Sequence, residues 1–330
     1  MILEQNIPLD QSLLWELQLK TYQEYGPKCW STLGVPFHIS SNAYTAHYFA
    51  KLIQCFDNPT ILELGAGTGR FTYMLLKELD KVRYFMSDIS EKNITFWKTN
   101  AYLNERATMC LYNPLTDPAL CKPDIVIANY VFDALPQKLY RYTDQAFEGC
   151  VTLKGRPNID DLQLEFSYRP TSDVPYCKGT YPYPTSALQI FDQFSDAIFI
   201  VGDKGMWNEL HEPTFNQHGT FSLPVNFHAL AHHMPYSICP KKPDPRYDVG
   251  LFSNHPIPCQ DVYDALTPVQ WQVDHFMQPT LDALEKMCYD PMVFLMQTQS
   301  LNATQMEKVR ARIYPISDHE RMLFELVKKK

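Results

Sequence analysis

Residues 61–70 read ILELGAGTGR and place Glu63, Gly65, Ala66, Gly67 and Gly69 between a strand pattern and a helix pattern. Glycines let a backbone turn sharply and lie close to a ligand, and a helix N-terminus offers unpaired N–H groups. Such a loop suits a nucleotide-like cofactor. A dinucleotide loop, G-x-G-x-x-G, would need its third glycine at position 70, which is Arg70. A phosphate loop would need Gly-Lys-Ser/Thr, and none follows. Asp88 ends the next strand pattern, 23 residues beyond Gly65. An acid there would accept hydrogen bonds from both ribose hydroxyls.

A second chemical stretch is DIVIANYVFDALPQ, residues 124–137. Residues 125–128 read as a buried parallel strand, so Asn129, Tyr130, Asp133 and Pro136 follow its carboxyl end. In an open α/β sheet, ligands sit outside those strand ends.

The positioning elements are legible around these residues. Strands are predicted at 60–64, 82–87, 108–112, 124–128 and 197–201, with helices at 70–79, from Ser90 onward and at 186–194. This alternation implies parallel pairing with right-handed crossovers, hence an α/β, doubly wound, mostly parallel sheet. Ahead of it lie two helices, at 11–25 and after a cap at Ser41 or Asn42, which form a helical lead-in over residues 1–55. The core is expected over 56–235, with an insertion at about 140–183 in which 162–168 alternates like a strand. Residues 235–258 hold six prolines and read as an irregular connector, opening a C-terminal region of 236–330. Patterns at Thr267-Pro268-x-Gln270, Asn302-x-x-Gln305 and Ser317-x-x-Glu320 predict helices in that region.

Composition narrows the function. Net charge is −8, and the longest Lys/Arg run is the terminal 328–330, which argues against a nucleic-acid partner. No apolar run approaches the roughly 20 residues of a membrane helix, so no membrane is expected. Acids near the N-terminus do not fit a targeting peptide, and nine cysteines without C-x-x-C suggest reduced thiols and a cytoplasmic setting. His228, His232 and His233 lack an acid or Cys to complete a metal site, so no metal is expected.

The pattern from Glu63 to Gly69 resembles motif I of class I S-adenosylmethionine methyltransferases. Asn129-Tyr130-Val131-Phe132-Asp133-Ala134-Leu135-Pro136 resembles the N-E-F-F-D-A-L-P motif of the MidA-like methyltransferases, relatives of the mitochondrial complex I assembly-factor methyltransferase. Phe37-His38-Ile39-Ser40-Ser41, Val201-Gly202-Asp203-Lys204-Gly205, His218-Gly219-Thr220-Phe221 and Val225-Asn226-Phe227-His228 resemble further segments of that family in the same order. The resemblance implies a Rossmann-like class I methyltransferase fold with S-adenosylmethionine as cofactor. It implies that Glu63, Gly65, Ala66, Gly67, Gly69 and Asp88 hold the cofactor, with Asn113 near adenine and Asn129 close by. It places Asn129, Tyr130 and Asp133 beside the methyl group, with Asp203 near.

The mitochondrial member of that family dimethylates a protein arginine, and the resemblance implies such an acceptor, which acids must grip. Here Tyr130 stands for the family's Glu and Asn226 for an acid, leaving Asp133, Asp203 and Glu63 to serve. A protein side chain is therefore the first expected acceptor, a small molecule the second, and a non-catalytic scaffold the alternative from another class. A second copy of the chain is a further candidate partner.

Overall fold

The computed structural model describes residues 1–29, 39–207 and 216–277 of the chain. Strand β1 (Ile2–Pro8) precedes helix α1 (Leu13–Tyr25), which Ser12 caps by accepting the Leu14 amide. Helix α2 (Ala43–Ile53) is capped by Asn42, which accepts the Thr45 amide. Next come β2 (Thr60–Leu64), α3 (Arg70–Glu78), β3 (Arg83–Asp88), α4 (Glu91–Trp97), α5 (Ala101–Arg106), β4 (Ala107–Leu111) and β5 (Ile125–Asn129). The insertion holds β6 (Lys138–Tyr142), β7 (Ala146–Gly155), β8 (Leu162–Pro170) and β9 (Gly179–Tyr183). It is followed by α6 (Thr185–Gln193), β10 (Ile198–Asp203), β11 (Gly205–Met206), β12 (Asn216–His218), β13 (Thr220–Ser222) and β14 (Val225–Asn226). Helix α7 (Phe227–His233), β15 (Tyr236–Ile238), β16 (Asp248–Ser253) and α8 (Gln260–Ala265) complete the elements used below.

Seven strands form the central sheet in the order β15-β16-β10-β5-β2-β3-β4. The five from β10 to β4 are parallel, while β16 runs antiparallel to β10 and to β15. The chain builds outward from β2 to β4, then restarts on the other side of β2 with β5. That reversal makes a switch point between the carboxyl ends of β2 and β5, where such sheets open a ligand crevice.

Both faces of the sheet are covered. Ile61, Ile125, Ile127, Ile198 and Ile200 share one apolar cluster with α2 and α3, and Leu62, Val126, Ala128, Phe199 and Val201 share the other with α6 and α7. Strand residues alternate between the two clusters, which is why β5 reads as an unbroken apolar run.

Two parts differ from the sequence-based expectation. The prolines of 235–258 flank strands rather than preventing them. Pro235, Pro240, Pro243, Pro245, Pro256 and Pro258 all fall outside β15 and β16, so no ladder amide is lost. The central sheet thus extends to Ser253, beyond the predicted boundary at 235. The lead-in is also not wholly helical, because β1 pairs with β7 and joins the insertion in a five-stranded antiparallel sheet with β6, β8 and β9. A third apolar cluster holds Leu14 and Trp15 of α1 against Val151, Leu153 and Phe221, so lead-in and insertion pack as one layer. The cap predicted at Thr267 is not used, since the short helix there starts after Pro268 without a side-chain cap. The caps predicted at Asn302 and Ser317, and Phe37 and His38, lie outside the described residues. No described helix is long and apolar enough to cross a membrane.

Gly202, near the end of β10, lets Tyr247 pass over the strand. A Cβ there would lie 2.2 Å from the Tyr247 hydroxyl and 3.0 Å from Phe49 Cζ. Gly202→Ala is therefore expected to lower stability by about 2 kcal/mol, read from the midpoint of urea unfolding.

Candidate active site

The glycine loop bends as its sequence requires. Gly65, Gly67 and Gly69 all have left-handed φ angles of 62°, 57° and 72°. Side chains would be strained there, so the three glycines answer a backbone need. The loop is anchored from several sides: the Ala66 amide donates to the Ser87 carbonyl at 2.9 Å, and Trp97 Nε1 donates to the Gly67 carbonyl at 2.8 Å.

Asp88 stands where expected, buried at the end of β3. Its Oδ2 accepts the Gly67 amide at 3.0 Å and its Oδ1 accepts the Ser90 amide at 2.9 Å. Each carboxylate oxygen can accept more than one hydrogen bond, so acceptor capacity remains for hydroxyls. Burial raises its pKa to about 6, although the Ser90, Asn93 and Gly67 hydrogen bonds oppose the rise.

Glu63 points elsewhere. Its Oε2 accepts from Thr72 of α3 and from the Tyr84 hydroxyl of β3, at 2.9 Å for the latter. It is buried, which raises its pKa to about 7. Glu63 thus ties strand, helix and loop together from beneath. Asn113 is also occupied. Its Oδ1 accepts the Leu115 amide at 3.1 Å, and its carbonyl closes the turn on Thr116 and Asp117. The Asn-Pro sequence makes a side-chain-closed turn here, with that oxygen already accepting a local amide.

The end of β5 is the most constrained part of the site. Tyr130 has φ 60°, a left-handed conformation rare for an aromatic residue. Its amide donates to the Gly202 carbonyl at 2.7 Å, and its ring stacks on Tyr247 with centroids 6.1 Å apart. Asn129 is held at both ends of its amide, donating to the Ser40 carbonyl and accepting from the Tyr247 hydroxyl, each at 2.8 Å. Val131 lies against Gly65, where a Cβ would meet Val131 Cγ2 at 3.0 Å. Cofactor loop and fourth strand end are therefore neighbours.

Asp133 and Asp203 are both buried. Asp203 Oδ2 accepts the Phe132 and Asp133 amides at 3.1 and 3.2 Å, and its Oδ1 accepts the Lys204 amide at 2.8 Å. The Lys204 ammonium lies 3.3 Å from Asp133 Oδ2 and donates to Ser222 Oγ. Burial pushes the proton affinity of both carboxylates up; Asp133 raises Asp203 further, while Lys204 opposes the rise.

Three features lay outside the sequence reading. Helix α1 roofs the site: Gln18 donates to the Ala134 carbonyl at 2.7 Å and accepts the Phe221 amide. Tyr247 supports both Asn129 and Tyr130. Lys204 was visible as the cation following Asp203 at a strand end, but its pairing with Asp133 is a tertiary fact. Asn226, read as a lost acid, is the cap of α7. Its Oδ1 accepts the Ala229 amide and its Nδ2 donates to the Pro182 carbonyl, both at 3.0 Å, so it serves the fold.

His233 pairs with Asp192 at 2.8 Å, and among the described residues no group of three or more His, Cys, Asp or Glu is placed to hold a metal ion. Trp207 and Phe227 stack at 4.5 Å within the core.

A protein-family profile described as a methyltransferase domain matches residues 62–153, which include the glycine loop, Asp88 and the end of β5. No curated protein matches the chain in sequence. Among solved structures, a COG1565 superfamily member from Burkholderia thailandensis, bound to S-adenosylhomocysteine, is 16% identical over 69% of this chain and 71% of its own, with a TM-score of 0.49. A 1,6-didemethyltoxoflavin N1-methyltransferase from the same organism, with 1,6-didemethyltoxoflavin and S-adenosylhomocysteine bound, is 10% identical over 76% and 90%, with a TM-score of 0.42. The N-methyltransferase NodS from Bradyrhizobium japonicum, also with S-adenosylhomocysteine, is 11% identical over 56% and 74%, with a TM-score of 0.34. These likenesses are too distant to carry residues across. Strand order and profile match together define a Rossmann-like class I methyltransferase fold.

Removing one member of a buried ion pair leaves an uncompensated charge. Lys204→Met should lower stability by about 3 kcal/mol in urea unfolding, and adding Asp133→Asn should recover most of that loss.

Proposed function

We propose that the chain is an S-adenosylmethionine-dependent methyltransferase. The observation that carries this reading is the Asp88 carboxylate, at the end of β3, bonded to the Gly67 amide of the loop that leaves β2. Three left-handed glycines bend the loop back on the end of β2, and Asp88 keeps acceptor capacity beside it, so the residues present fit the cofactor. When bound, the cofactor supplies an electrophilic methyl group on a sulfonium. Gly65, Ala66, Gly67 and Gly69 would hold its amino-acid end and Asp88 its ribose. Asn129, Tyr130 and Asp133, which follow at the end of the adjacent strand, would border the methyl group and orient the acceptor, because transfer needs a lone pair close and in line.

A protein side chain or a small molecule fits this geometry. The arginine precedent of the resembling family finds weaker support, because Asp133, Asp203 and Glu63 already hold backbone or side-chain partners.

Asp88→Ala should weaken S-adenosylhomocysteine binding at least about tenfold by calorimetry, since it removes charge-assisted hydrogen bonds; unchanged affinity would remove Asp88 from the site. Hydroxyl donors favour the ionised carboxylate, so affinity should rise with pH through about 6 and then level off. Free-chain stability runs the other way. The folded-state pKa is raised above 3.8, so stability from this group is present below 3.8 and falls as pH climbs to about 6. Asp88→Asn should abolish both slopes.

A further inference from the structure

Methyl acceptors differ in charge and in whether a base must first remove a proton, and both properties can be read from the side chains beside the acceptor. A guanidinium needs carboxylate oxygens turned toward it and loses a proton during reaction. At this strand edge the carboxylates face inward. Asp203 accepts three backbone amides, and Asp133 faces the Lys204 ammonium at 3.3 Å. Lys204, whose side chain is only 15% exposed, already pairs its ammonium with Asp133. An incoming cation would have to displace that ammonium to reach the Asp133 carboxylate.

Neither the phenols nor the thiol described here is suited to act as a base at neutral pH, and the Asp133 carboxylate is held by Lys204. Burial, together with the charges of Asp133 and Asp203, keeps the Tyr130 phenol protonated. Burial does the same for Tyr22, with Asp133 adding to it, and pushes the Cys29 thiol up to about 12. Meanwhile the Tyr130 hydroxyl has no hydrogen-bond partner among the described residues, and its ring extends the aromatic surface begun by Tyr247. A phenol held neutral can donate to a ligand's lone pair or accept from its N–H. Its strained backbone is fixed by the Gly202 carbonyl, which holds the ring in place.

We propose that this chain methylates an uncharged heteroaromatic nitrogen, with Tyr130 hydrogen-bonding the acceptor ring and Lys204 as the positioning residue that turns cations away. The inference rests on the methyltransferase reading above. In the step, the ring nitrogen's lone pair forms the new N–C bond as the methyl–sulfur bond breaks. The bonding pair returns to sulfur, which leaves as a neutral thioether. The positive charge passes to the ring, which then releases an N–H proton to water, so no protein base is needed. The same chemistry could be offered by a free heteroaromatic molecule or by a histidine side chain.

The test incubates the full chain with methyl-labelled S-adenosylmethionine and cell lysate, then separates protein from small molecules. Label recovered as methylhistidine after acid hydrolysis, or as an N-methyl heteroaromatic in the small-molecule fraction, is the expected result and tells the two sources apart. Methylarginine, methyl-lysine or an O-methyl product would overturn the inference while leaving the methyltransferase reading intact. Absence of label in either fraction would also overturn it, and absence of S-adenosylhomocysteine binding by calorimetry would instead remove the reading beneath it.

With the acceptor in hand, Tyr130→Phe should raise its KM about tenfold and leave S-adenosylhomocysteine affinity unchanged; an unchanged KM would remove Tyr130 from the acceptor pocket. Methylguanidine, a cationic probe, should compete with the acceptor several-fold better in Lys204→Met than in the parent. Equal inhibition of the two would contradict the role of Lys204, and a parent inhibited more strongly would reverse it.

Discussion

Asp203, buried at the end of β10, gathers the amides of Phe132 and Asp133 on one oxygen and that of Lys204 on the other. A carboxylate with three backbone donors is costly to disturb, because any amide left without it would be buried unpaired. The turn after β5 depends on this arrangement. It allows Tyr130 to hold a left-handed backbone, brings Val131 against Gly65, and sets Asp133 beside Lys204. Local strain at Tyr130 is sustained because its surroundings over-determine it, a pattern that clusters where ligands are handled.

The site is assembled from elements far apart in sequence. Strands β2 and β3 provide the glycine loop and Asp88, while β5 and β10 provide Asn129 and Asp203, with Tyr130 directly after β5. Helix α1 closes over them through Gln18, and the antiparallel sheet of β1 and the insertion braces that helix. The insertion therefore acts as support for the roof, whereas the parallel sheet carries the candidate site.

Much of this was legible in the sequence, for identifiable reasons. The glycine spacing and Asp88 depend on local backbone needs, so the turn after β2 and the strand end at Asp88 fall where the pattern puts them. The alternation of strands and helices fixed the parallel core, and of the two cap candidates, Ser41 and Asn42, the second is used. The proline-rich stretch misled because prolines beside a strand look like prolines within one. Strand β1 was hidden because its partner, β7, lies more than a hundred residues away. The roles of Glu63, Asn113 and Asn226 could not be read from residue type: each could face a ligand or the fold, and only packing decides. The engagement of Asp133 with Lys204 has the same origin.

The account's central claim is that one crevice, at the carboxyl ends of β2, β3 and β5, binds the methyl donor. Amide hydrogen exchange with and without saturating S-adenosylhomocysteine tests it most directly. The account predicts added protection in residues 65–70, 88–93 and 129–134, together with α1. Binding without protection in those segments, or protection confined to other parts of the chain, would contradict it.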